Sequence, residues 1–140
     1  MKLNDYSYDE IKIGQKFNFK KLLAVEDIDN FAKLTGDFNP LHCDDDYAKS
    51  TQFGGRIAHG MLAASLFSTI IGMLCPGKRS LYLSQSLNFK KPLPLNSKVI
   101  VRGIVKDKIK SVSVIVLYTE VIYNGDVAVN GEAKVKVLGD

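Results

Sequence analysis

The side chains able to do chemistry are concentrated between residues 36 and 60. Asp37 and His42 stand five positions apart, separated by Asn39 and Pro40. In an extended or turning loop that spacing brings a carboxylate and an imidazole into one small volume. Such a pair can activate water, one group taking its proton while the other returns a proton elsewhere on a substrate. Imidazole suits the task because its unperturbed pKa of ~6.5 lies near operating pH. Asn39 can orient either group or cap the loop with its amide. The same residues also read as an ordinary turn, with Asp37 a cap and His42 satisfied by a backbone carbonyl. His59, the one other histidine, sits at the head of an apolar stretch, where a packed ring is as good a reading as a chemical one. Gly60 follows it. A glycine in the first turn of a helix leaves a backbone N–H open to close approach, with the positive end of the dipole behind it, which suits an oxyanion. It equally permits tight packing of helix on strand.

The rest of the composition narrows the class. The chain has 140 residues, 46% hydrophobic and 24% charged, the balance of one soluble globular domain over 1–140. The longest apolar run, residues 61–74, is interrupted by Ser65, Ser68, Thr69 and Gly72. It is too short and too polar to span a membrane, and the polar N-terminus lacks a signal-peptide core. The cytoplasm is the expected compartment, with Cys43 and Cys75 as reduced thiols in no metal-ligand spacing. The net charge of +4 comes from scattered Lys and Arg rather than a dense stripe, so no nucleic-acid partner is expected.

These candidates need elements to position them. Loose alternation over 15–23 predicts a strand. Apolar residues at Val25, Ile28, Phe31, Ala32 and Leu34 predict an amphipathic helix, stopped at Gly36. Residues 37–42 are expected as loop or turn, because the residue before Pro40 is disfavoured in a helix. The acidic run 44–46 predicts the N-terminus of a short helix. Residues 57–74, apolar nearly all round, predict one buried helix ended by Cys75-Pro76-Gly77. Four β-rich segments follow over 81–89, 98–106, 112–122 and 126–137, the last two joined by the hairpin signal Asn124-Gly125. A strand, a buried helix and then long antiparallel strands make an α+β pattern: a curved five-stranded antiparallel sheet wrapped around a long central helix, the hotdog fold. The open edges of such a sheet argue for pairing in a homodimer.

The segment Phe31-Ala-Lys-Leu-Thr-Gly-Asp37-Phe-Asn39-Pro40-Leu-His42, with Ala48 after it, closely resembles the hydratase 2 motif of the MaoC-like, R-specific enoyl-CoA hydratases. Arg56-Ile-Ala-His59-Gly60-Met61-Leu-Ala-Ala-Ser65-Leu-Phe resembles the start of that family's central helix, and residues 81–89 resemble the strand after it. The resemblance implies a hotdog dimer that reversibly adds water to a trans-2-enoyl-CoA, giving an (R)-3-hydroxyacyl-CoA. It implies Asp37 and His42 as the acid/base pair, Asn39 as the residue that shapes the loop, and the Gly60 N–H as the group that stabilises the enolate-like transition state. The acyl-CoA thioester is the expected partner. No metal or redox cofactor is expected, coenzyme A being part of the substrate. Asn39, His59, Leu62, Leu66 and Ser68 are expected to bind substrate, the acyl chain lying near Leu62, Leu66 and Ser68, and Arg56 or Lys90-Lys91 to meet the CoA phosphates. Rival readings are a hotdog acyl-CoA thioesterase, in which water attacks the thioester carbonyl, a dehydratase acting on acyl carrier protein, and a sensor without turnover. The intact Asp37-x-Asn39-Pro40-x-His42 segment favours hydration.

Overall fold

Long runs of β-branched residues late in the chain build most of the scaffold. The computed structural model describes residues 1–139; position 140, the last of the expected domain, lies outside them. The strands are β1 (Lys16–Leu23), β2 (Ser80–Gln85), β3 (Asn88–Phe89), β4 (Ser97–Ile109), β5 (Val114–Tyr123) and β6 (Asp126–Val137). They form one antiparallel sheet in the order β1-β4-β5-β6-β2, with β3 paired to β6. Along β4, Ser97, Val99, Val101 and Val105 are buried while their neighbours face outward, the two-residue period of a strand with one covered face. The β5–β6 hairpin turns on Asn124 and Gly125, both at positive φ (50° and 80°), as a two-residue primed turn requires.

The fold class is as expected, but the strand count is six rather than five. The segment expected as one strand over 81–89 is interrupted. A Cβ on Gly131 would lie 1.7 Å from the Ser86 carbonyl oxygen, so the absent side chain lets the backbone of residue 86 press against β6. The register also shifts between Tyr82 and Ser84, and two residues, β3, resume pairing beyond the break.

Around the site, α1 (Val25–Thr35) ends at Gly36, which adopts the left-handed conformation at φ 81°. The expected loop over 37–42 is in part helical. Asn39 caps a single turn, α2 (Pro40–Cys43), by accepting from the Leu41 N–H at 3.0 Å, and Pro40 occupies its first position. Asp44 caps α3 (Asp45–Lys49) through the Tyr47 N–H, as the acidic run suggested.

The central helix comprises α4 (Gly60–Ser65), α5 (Phe67–Thr69) and a wide closing turn (Ile70–Leu74) in which the Cys75 N–H reaches back to the Ile70 carbonyl. It starts three residues later than the apolar run predicts. Ile57 and Ala58 are held extended instead, Ile57 bridging Pro94 and Ala58 donating to the Leu93 carbonyl at 2.8 Å. Phe67, Ile70 and Ile71 are buried against the sheet, and Ile70 sits where Gly103 has no side chain: a Cβ there would be 2.6 Å from its Cγ2. The helix is not covered all round, because Met61, Ser65 and Ser68 form an exposed stripe. Cys43 and Cys75 are free thiols, and burial pushes that of Cys75 up to about 12. No helix among the described residues is long and apolar enough to cross a membrane.

Candidate active site

Three elements meet at the site. The turn after α1 carries Asp37, α2 carries His42, the extended entry to α4 carries His59, and Gly60 is the first residue of α4. Asp37 is half exposed (51%), and its Oδ1 accepts from the Asn39 N–H at 3.2 Å, folding the loop over its own carboxylate. Asn39 therefore holds the loop at two points: its backbone N–H binds Asp37 and its side chain caps α2.

The two imidazoles stack face to face, with centroids 4.0 Å apart and planes 30° from parallel. Their backbone partners separate their roles. His42 Nδ1 lies 2.8 Å from the Ile57 carbonyl oxygen, so Nδ1 carries the proton and donates it, leaving a lone pair on Nε2. His59 is reversed. Its Nε2 lies 3.0 Å from the Asp37 carbonyl oxygen and donates to it, while Nδ1 is buried with no partner. The His59 ring is 2% exposed and is backed by Phe31 at 4.9 Å between centroids. His59 is thus both packed and part of the cluster: its Nε2 also stands 4.0 Å from the Asp37 carboxylate. One donor atom from each of Asp37, His42 and His59 falls within 4.8 Å of the others. By type this set could ligate a borderline divalent cation. To do so His59 Nε2 would have to give up its bond to the Asp37 carbonyl.

An open cleft of about 420 Å³ runs from His42 and His59 past Gly60. Its walls are largely apolar, with Phe89, Leu93, Ala63 and Val129 among the lining residues together with the exposed Lys90 and Lys91. No acceptor among the described residues takes the N–H of Gly60, which lines this cleft. A Cβ on residue 60 would come within 2.7 Å of the Phe89 ring, so glycine here also serves the close approach of β3 to the helix.

Residues 9–125 match the model of the MaoC like domain. The chain belongs to the MaoC-like domain family. This MaoC-like chain is 40% identical over 135 residues to the (R)-specific enoyl-CoA hydratase of Aeromonas caviae, a match covering 94% of this chain and 98% of that protein. It is 37% identical over 130 residues to the (R)-specific enoyl-CoA hydratase of Rhodospirillum rubrum, covering 93% and 90% respectively. Among solved structures, the unliganded R-hydratase of Pseudomonas aeruginosa is similar with a TM-score of 0.94 and 35% identity, over 99% of this chain and 89% of that one.

Not every expected residue of the MaoC-like chain lies in the cleft. Leu62 and Leu66 line a separate groove with Phe31 and Leu34 on α1, and Ser68 lies on the exposed stripe. Arg56 does not face outward toward phosphates. Its guanidinium is turned in, 8% exposed, and paired with Asp29 on α1. Lys91 is paired with Asp126 at 2.7 Å. Phe89, Leu93 and Val129 were not singled out in the sequence, because nothing local marks which apolar residue of a strand, or of the connection between β3 and β4 that holds Leu93, faces a cleft.

Proposed function

We propose that this protein reversibly hydrates trans-2-enoyl-CoA thioesters to (R)-3-hydroxyacyl-CoA, using Asp37 and His42 as its acid/base pair. The observation that carries the reading is that His42 and Gly60 line one apolar cleft while a donor atom of Asp37 lies within 4.8 Å of donor atoms on His42 and His59, with the His42 Nδ1 held on a carbonyl so that Nε2 is left as the base. The similarity to hydratases over nearly the whole chain supports it.

Water seated between the Asp37 carboxylate and His42 Nε2 loses a proton to the pair as its oxygen bonds the β-carbon. The π electrons move to the α-carbon and the thioester oxygen, giving an enolate-like transition state. The Gly60 N–H meets that oxygen, where a preorganised donor acts most strongly because charge develops there. The pair then returns one proton to the α-carbon. The sum is addition of one water with no change of oxidation state, so no redox cofactor is called for, and the Asp/His pair does the work a metal would otherwise supply. Asn39 keeps the carboxylate over the site. The exposed Lys90 offers positive charge to the nucleotide end of the thioester. The working unit is a homodimer, supported by the exposed helix stripe and the open edges of the sheet.

Incubation with crotonyl-CoA tests this reading. The conjugated enoyl absorbance is expected to fall without release of free CoA. Release of free CoA with the double bond intact would replace hydration by thioester hydrolysis.

A further inference from the structure

Arg56 and Ile57 grip the His42 segment at three points. The Ile57 N–H donates to the Leu41 carbonyl at 3.3 Å, and the Ile57 carbonyl takes the proton of His42 Nδ1 at 2.8 Å. Arg56 Nε donates to the His42 carbonyl at 2.5 Å. The other end of the same guanidinium binds Asp29 Oδ1 at 2.6 Å, on α1. The planar fork therefore joins α1, which is followed by the turn that carries Asp37, to the turn that carries His42 and to the extended segment that leads into Gly60. Both partners are charge-assisted bonds, and the guanidinium is nearly buried, so little water competes for it. A lysine has one nitrogen and cannot satisfy both acceptors in this geometry.

We propose that Arg56 is a positioning residue: by clamping the His42 carbonyl to Asp29 it holds the ring with Nδ1 on the Ile57 carbonyl and Nε2 aimed at the substrate. It acts through His42 and touches no reacting atom, and it rests on the hydration reading of this site.

The chain has two histidines, so the ring nitrogens can be resolved by ¹⁵N NMR. In the wild type the spectrum is expected to show opposite neutral tautomers, His42 protonated on Nδ1 and His59 on Nε2. Arg56→Gln is expected to leave the His59 pattern intact and to convert His42 to a mixture of tautomers. With crotonyl-CoA, its kcat is expected to fall roughly 10- to 100-fold, with KM held within about twofold, as for a misplaced catalytic group. Arg56→Lys, a milder change in case the glutamine variant does not fold, is expected to show the same shifts at roughly a tenth of wild-type kcat. Either arginine variant with wild-type His42 tautomer and wild-type kcat overturns the proposal. So does a loss of kcat with the His42 signal unmoved, which marks a merely structural role. A wild type inactive on every enoyl-CoA, whose His42 tautomer still depends on Arg56, would sink the hydratase reading and leave the clamp standing.

Discussion

Two carbonyl oxygens, those of Asp37 and Ile57, decide what each histidine offers the cleft. Because a carbonyl only accepts, His42 is left basic at Nε2 and His59 is committed as a donor. Asp37→Asn keeps the oxygen that accepts from the Asn39 N–H, so the loop should survive while the charge is lost. Asp37→Asn and His42→Ala are each expected to lower turnover ~10²–10⁴-fold, with an unchanged circular dichroism spectrum. Near-wild-type turnover in either would strip that residue of its role. Gly60→Ala places a methyl against the Phe89 ring, which is 54% exposed and free to give way. The variant should therefore fold, but with the displaced ring beside the amide it is expected to lose roughly 10²-fold in kcat, the usual cost of disabling one oxyanion donor. The Asp37–His42 spacing was readable because it rests on residue types. The Ile57 carbonyl was not, since every residue has one and only the fold selects it. Arg56 was offered to the CoA phosphates, as an alternative to Lys90-Lys91, because nothing local announces its partner Asp29 on α1.

At the scale of elements, the sequence located most strands, one helix cap and the hairpin by their own chemistry: alternation, the acidic run at Asp44 before a helical turn, Asn124-Gly125 between strands, whereas the turn of helix capped by Asn39 was expected as loop. It misplaced the start of the central helix because Ile57 and Ala58 are as apolar as the residues after them. Their extended form is imposed by Leu93 and Pro94, far along the chain. This late start matters, since it puts Gly60, a residue lining the cleft, at the first helical position, where no helical carbonyl takes its N–H. The break between β2 and β3 likewise depends on Gly131, on another strand. The seat of the helix rests on Gly103 beneath Ile70. Gly103→Ala would force a methyl to within 2.6 Å of Ile70 Cγ2 and 3.5 Å of Leu117, and is expected to cost about 1–3 kcal/mol by urea unfolding. Unchanged stability would show that the helix does not rest where it is drawn.

The whole molecule leaves apolar surface that one copy cannot cover. Met61 is 56% exposed on the helix stripe, and Leu34 and Phe38 are exposed beside the Asp37 loop. Leu81 and Leu83 are exposed on β2, an edge of the sheet. Monomers rarely keep such surface on open strands. Light scattering is expected to give twice the 15.5 kDa chain mass, and a stable monomer at working concentration would contradict the homodimer. The sequence suggested pairing only through the edges of the sheet. The exposed helix stripe, which argues for it more strongly, was hidden because Ser65 and Ser68 read as polar interruptions of a buried helix. The reverse reaction tests most directly whether water is added to the face of the double bond that gives the (R) product. Offered (R)- and (S)-3-hydroxybutyryl-CoA separately, the protein is expected to generate enoyl absorbance from the (R) form alone. Dehydration of the (S) form, or of neither while free CoA appears, would contradict the account.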